Sequence, residues 1–219
     1  YGFVAVCMGK GITNILKDLG VDRVIEGGQT MNPSTDDILK AVKRVKAKTV
    51  YVFPNNKNII MAANQAAELV EDKKIVVIPS KSVPQCISAM VEFNDKKSAE
   101  ANEKAMNKAI GRVASGQLTY AVRDTEIDGI EIKKDDIVGM VEGKIVTVGK
   151  DIDDVLNRVV SQMVDEDTEF LNVYYGKEIK KPQADVMLKA LETKYADDEI
   201  EVSFKKGGQP LYYYIISTE

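Results

Sequence analysis

Apolar runs and helical repeats alternate regularly from Phe3 to Phe93. FVAVCM, DRVIEGG, TVYVFP and KIVVIP read as short buried strands, while GITNILKDLG, DDILKAVKRV, NIIMAANQAAELV and SVPQCISAMVEF carry helical spacing between and after them. Buried strands joined through helices predict right-handed βαβ units and a parallel sheet. Each strand then runs into a polar loop: Met8-Gly9-Lys10-Gly11, the Gly27 stretch, Pro54-Asn55-Asn56-Lys57-Asn58 and Pro79-Ser80-Lys81-Ser82. All four loops are expected on one sheet edge, where open α/β folds bind ligands.

A charged helix with an apolar stripe of Ala101, Ala105, Met106, Ala109, Ile110 and Val113 follows, and it reads as a connector. Beyond Ser115-Gly116 the pattern turns to alternation, with hairpin turns expected at Asp128-Gly129 and Glu142-Gly143. The helix DIDDVLNRVVSQMV, the strand FLNVYYG, the helix KPQADVMLKALETKY and the strands EIEVSF and PLYYYIIS complete the chain. The expected class is α/β with two domains: a parallel α/β/α domain over 1–94, a connecting helix over 95–116, and a mixed-sheet α/β domain over 117–219 with helices on one face.

Composition narrows the chemistry. The 219 residues suffice for a sizeable core, and 34 acidic against 30 basic residues give a net charge of −4 with no basic stripe for nucleic acid. No apolar run approaches the ~20 residues that span a bilayer. Cys7 and Cys86 sit in apolar runs far apart, as small core residues in a reducing compartment would, and a cytoplasmic location is expected. The chain has no His, which removes the commonest general base and zinc ligand, so neither a zinc site nor a Ser-His-Asp triad is expected. No convergent Asp trio for Mg-ATP is visible; no catalytic residue, metal or cofactor is assigned. Tyr1 opens the chain inside a strand pattern, as expected of a piece of a longer protein.

The densest candidate chemistry lies in GGQTMNPSTDDI, Gly27 to Ile38. Gln29, Thr30, Asn32, Ser34 and Thr35 fall within seven residues at a strand-to-helix turn; Ser34 or Thr35 can cap the helix, with Asp36 and Asp37 in its first turn. Asn55, Asn56, Lys57 and Asn58 should lie beside them, and three Asn in four positions exceed what one cap requires. Gly9-Lys10-Gly11 lacks the spacing of a phosphate loop and reads better as a tight turn. Gly207-Gly208-Gln209-Pro210 reads first as a hairpin turn and second as a means of bringing Gln209 to the domain cleft. Arg123 follows a strand end near that cleft and suits bidentate anion binding, although Asp124 beside it offers simple neutralisation. Tyr212, Tyr213 and Tyr214 alternate faces, which makes the last strand a plausible docking surface.

GGQTMNPST, PNNKNI, VIPSKSVPQ, YAVRD and GGQPLYYYIIS together resemble the C-terminal region of the bacterial dihydroxyacetone-kinase-like proteins, the ATP-binding subunit of fatty-acid kinase. The resemblance spans nearly the whole chain. In that family an N-terminal kinase domain and a middle domain precede this region, so the ATP and magnesium residues have no counterpart here. The region itself is similar to DegV-like fatty-acid-binding proteins, in which two α/β domains hold an acyl chain between them. The resemblance implies a non-catalytic region that docks a lipid-carrying DegV-like fatty-acid-binding protein for phosphorylation by the missing kinase domain. It implies alternatively a fatty-acid or small-carboxylate site between the two domains, with Gln29 to Thr35 as the carboxylate loop and Arg123 as its cation. A homodimer of the full-length protein is a further expectation.

Overall fold

The computed structural model describes residues 1–28 and 31–219. Two compact units divide the chain, Tyr1–Val113 and Ala114–Glu219.

In the first unit β1 (Gly2–Cys7), β2 (Arg23–Glu26), β3 (Thr49–Phe53) and β4 (Lys74–Val77) form a parallel sheet in the order β2-β1-β3-β4. Helices α1 (Lys10–Asp18), α2 (Thr35–Lys43) and α3 (Lys57–Glu68) make the crossovers, and α4 (Val83–Val91) and α5 (Ala99–Ile110) follow. Alternation along the strands decides which side chains meet which layer. Val4, Val6, Val50 and Val52 face Ile38 and Val42 of α2 and Ile59 and Ala63 of α3, all buried. From the opposite face Phe3 stacks on Tyr51 at 5.6 Å and meets the edge of Phe93 at 4.8 Å. Burying each such side chain contributes about 1.5–3 kcal/mol. Both cysteines are buried and free, as their apolar settings imply.

Helix α5, expected to be a connector, packs on α4 and lies inside the first unit. Its buried Asn102 is the reason: the side chain accepts from Asn94 N–H and donates to Asn94 C=O, both at 2.9 Å. Tyr51 adds a hydrogen bond from its hydroxyl to the Ala99 carbonyl at 3.1 Å.

The second unit contains β5 (Ala114–Tyr120), β6 (Thr125–Ile127), β7 (Ile130–Ile132), β8 (Ile137–Val141), β9 (Lys144–Gly149), α6 (Ile152–Met163), β10 (Phe170–Tyr175), α7 (Lys181–Lys194), β11 (Glu201–Lys206) and β12 (Tyr212–Thr218). Six strands form a mixed sheet in the order β11-β10-β12-β5-β8-β9, parallel only between β10 and β11, while β6 and β7 pair by themselves. Leu118, Leu171, Val173, Tyr214 and Ile216 from the sheet share one core with Val155 and Val159 of α6 and Leu191 of α7, so both helices cover the same face. The two expected hairpin turns are present. Asp128 and Gly129, at φ 52 and 78, and Glu142 and Gly143, at φ 50 and 76, supply the paired positive φ values that two-residue turns need.

One turn expectation is corrected. Gly207 to Pro210 make no hairpin, because β11 and β12 flank β10 on opposite sides. The segment instead crosses the end of β10, where Gly207 and Gly208 N–H both donate to the Tyr175 carbonyl at 3.0 Å. A helical crossover forces β11 parallel to β10, and the chain must then step over β10 to add β12 antiparallel.

Close packing of α6 on the sheet uses Gly139. A Cβ there would stand 2.4 Å from Val159 Cγ2 and 2.7 Å from Thr147 Cγ2, both on stiff β-branched side chains. At Gly116 the nearest atom, at 2.4 Å, is Sδ of the flexible Met163. Gly139→Ala is therefore expected to lower stability by about 1–3 kcal/mol and Gly116→Ala by clearly less. Urea denaturation of the two variants checks this, and equal losses would count against the packing described.

Candidate functional site

The polar strand-end loops divide into residues that build the edge and residues left facing solvent. Gly28 and Met31 exchange backbone hydrogen bonds of 3.1 and 3.3 Å after β2. Gln29 and Thr30 lie outside the described residues. Ser34 caps α2 in a reciprocal box: its hydroxyl accepts from Asp37 N–H at 3.2 Å, and the Asp37 carboxylate accepts from Ser34 N–H at 2.9 Å. Hydrogen bonds from the Ser34 hydroxyl and then its N–H hold the Asp37 carboxyl below the usual carboxylate range. Thr35 donates its hydroxyl to Gln65 of α3 at 3.1 Å. Asn32 is exposed and forms no side-chain hydrogen bond among the described residues.

Asn32 lines an open depression of about 650 Å³ with Arg23 and Glu26 of β2, Met31, Lys40 and Arg44. Neither arginine forms an ion pair among the described residues, whereas Lys40 pairs with Asp36 at 2.5 Å. Sequence reasoning missed Arg23 and Arg44. The signal needed was the strand order, because β2 as an edge strand leaves Arg23 uncovered.

The PNNKN loop splits in the same way. Asn55 takes φ 56, which Asn tolerates better than most residues, and its side chain and amide tie three strand ends. It donates from Nδ2 to the Val6 carbonyl near the end of β1 at 2.9 Å, while its N–H donates to Ser80 Oγ at 3.2 Å and its Oδ1 accepts from the same hydroxyl at 2.7 Å. Asn56 is buried and caps α3 by accepting from Asn58 N–H at 2.9 Å. Asn55 and Asn56 are thus engaged by the fold. Lys57 and Asn58 remain exposed, and neither side chain forms a polar contact among the described residues. At α1, Gly9 is the N-cap at φ 101 with no side-chain cap, in keeping with the tight turn.

In the second unit Arg123 is exposed and unpaired among the described residues. Asp124 does not neutralise it, because its carboxylate accepts from Lys134 N–H at 2.7 Å. Gln209 is buried, with Nε2 donating to the Tyr174 carbonyl at 2.7 Å. It braces the crossover over β10 and offers no exposed contact. Burial pushes both thiols up, Cys7 despite its contact with Thr13, so they are held as neutral core groups. What these residues offer chemically is hydrogen-bonding and charge recognition, concentrated at the β2–α2 and β3–α3 turns.

Comparison with known proteins agrees with this architecture. Residues 2–219 match the FakA-like C-terminal family, whose description is that of a fatty acid kinase subunit. Protein YloV of Bacillus subtilis (strain 168) is 49% identical over 219 residues, and an uncharacterized protein of Staphylococcus aureus (strain USA300) is 45% identical over 216. The chain spans 39% of the length of each of these relatives. Among solved structures, DegV, a fatty acid binding protein from Bacillus subtilis, superposes with a TM-score of 0.66 at 12% identity, covering 99% of this chain and 98% of that one. The dihydroxyacetone kinase of C. freundii gives a TM-score of 0.63 at 12% identity over 99% of this chain and 47% of its own. At such identities the likeness is one of fold. No helix among the described residues is long and apolar enough to cross a membrane. The family match over nearly the whole chain, with relatives close to half identical, places this chain in the FakA-like C-terminal family of fatty acid kinase proteins.

Proposed function

We propose that this chain is a non-catalytic docking region of a fatty-acid-kinase-type protein, which brings a lipid-loaded DegV-like fatty-acid-binding protein to a kinase domain on the same polypeptide. The observation that carries the reading is the division of labour at the sheet edge. Ser34, Asn55 and Asn56 hold the loops in place, while Asn32, Lys57 and Asn58 stand exposed with no partner among the described residues. Rigidly held polar side chains on preformed loops suit recognition, because little ordering is left for binding to cost. Family membership supports the kinase setting, and the fold shared with DegV supports a pairing of related shapes. In this reading the acyl chain stays with the partner and the phosphoryl transfer with the kinase domain.

Calorimetric titration of the chain with a fatty-acid-loaded DegV-family protein is expected to give saturable binding; none at high micromolar concentration would defeat the proposal. Native mass spectrometry tests the alternative that the chain itself carries the lipid, which co-purifying acyl species would favour.

Two sets of substitutions separate recognition from architecture. Asn32→Ala with Lys57→Ala should weaken partner binding roughly tenfold, about 1.4 kcal/mol, and leave stability within ~0.5 kcal/mol. Asn55→Ala should instead cost about 2–3 kcal/mol of stability, since it strands the Val6 carbonyl and the Ser80 hydroxyl and puts a non-glycine, non-Asx residue at positive φ. Thermal melts beside the titrations measure both; an Asn55→Ala variant as stable as the parent would contradict the strand-end tie.

A further inference from the structure

The crossover over β10 sits in one of the most tightly pinned parts of the second unit. A Cβ on Gly176 would stand 2.1 Å from the Tyr212 carbonyl oxygen, so only glycine lets the two segments approach. Gly176 N–H donates to the Tyr213 carbonyl at 2.8 Å, and Lys177 N–H to the Gln209 carbonyl at 3.1 Å. Thr119 fixes the Leu211 carbonyl through its hydroxyl at 2.7 Å, and Asp135 N–H reaches the Ala121 carbonyl at 2.8 Å. Within this frame Leu211 and Asp135 adopt φ 70 and 67. Non-glycine residues held at positive φ by their surroundings are concentrated at binding sites.

The pinned segments enclose an open depression of about 380 Å³. Its walls are Tyr120 and Tyr213, with ring centroids 5.9 Å apart and planes at 57°, together with Leu211; Asp135, Glu178 and Lys177 also line it. Two carboxylates stand against one ammonium. Lys177 contacts Glu178 at 3.7 Å, and both side chains are largely exposed, so that pair exchanges readily with solvent or a ligand.

We propose that this depression binds an aliphatic organic cation, a guanidinium or ammonium group on a methylene chain, seated against the rings of Tyr120 and Tyr213 and the carboxylates of Asp135 and Glu178. Tilted aromatic faces attract such a group, and Leu211 gives its methylenes an apolar surface. An anion would meet two carboxylates. The Tyr213 phenol is pushed up by burial first and then by Tyr120, Glu178 and Asp135, which keeps the wall neutral and shows both carboxylates acting on the same spot. The site lies wholly within the second unit, and its success or failure is separate from that of the docking reading.

The test is a titration of the chain, carrying 13C-labelled tyrosine rings, with three probes: an acetylated and amidated Gly-Arg-Gly tripeptide, spermidine, and butyrate. The cations are expected to shift the Tyr120 and Tyr213 ring signals saturably and butyrate to leave them unmoved. A tighter response to the tripeptide assigns the site to a protein side chain, and a tighter response to spermidine to a free polyamine. Asp135→Asn combined with Glu178→Gln should weaken the response about fivefold, since each exposed charge pair contributes modestly, and Asn tolerates the φ at position 135. Unmoved signals from the remaining tyrosines report that the variant is folded. No saturable shift with either cation, equal binding of butyrate, or undiminished binding by the folded double variant would overturn the proposal.

Discussion

Where parallel strands end at an open sheet edge, their last carbonyls and amides lose the ladder, and each must find another partner or water. In the first unit one side chain meets much of that need. Asn55 reaches the carbonyl of Val6 near the end of β1 and the hydroxyl of Ser80 beyond β4, from a backbone conformation that few residues other than glycine and Asx accept. The β3–α3 turn is thereby fixed to both neighbouring strands. Asn56 can then cap α3, and Lys57 and Asn58 are held outward by residues that do not move with them. The β2–α2 turn has its own brace in the Ser34–Asp37 box and the Thr35–Gln65 contact.

The second unit meets a different constraint. A helical crossover from β10 to β11 makes that pair parallel, so the chain must climb over β10 before β12 can form. The climb brings backbone against backbone at Gly176 and Tyr212, and buried Gln209 supplies the hydrogen bond that closes it. Side chains around this point have little freedom, and the Tyr120–Tyr213 depression is a product of that rigidity. Gly139 plays the equivalent part beneath α6, where helix and sheet meet too closely for a Cβ.

Family membership and fold bear on function at different levels. The same architecture superposes on a fatty acid binding protein and on half of a dihydroxyacetone kinase, so shape alone does not select between carrying a lipid and serving a kinase. The family description places the chain in the kinase setting. Within the chain, the exposed set of Asn32, Lys57 and Asn58 on braced loops has the character of a recognition surface, and the unpaired Arg23 and Arg44 extend its polar reach beside β2.

Local signals along the chain were enough to specify the elements and much of their grouping. Apolar runs alternating with helical spacing yielded the parallel sheet, period-two alternation with Asp-Gly and Glu-Gly turns yielded the hairpins, and a Ser followed three residues later by Asp marked the cap of α2. Each of these signals is carried by residues a few positions apart. What each polar residue is for depends instead on the folded unit. Asn55, Asn56 and Asn58 look alike along the chain, yet the first bonds to a carbonyl 49 positions away, the second caps a helix and the third faces solvent. Gln209 likewise turns inward to a carbonyl 35 positions away, and the segment around it becomes a crossover because β11 and β12 lie on opposite sides of β10. Strand order and long-range hydrogen-bond partners arise from packing across the whole unit, and no local pattern encodes them.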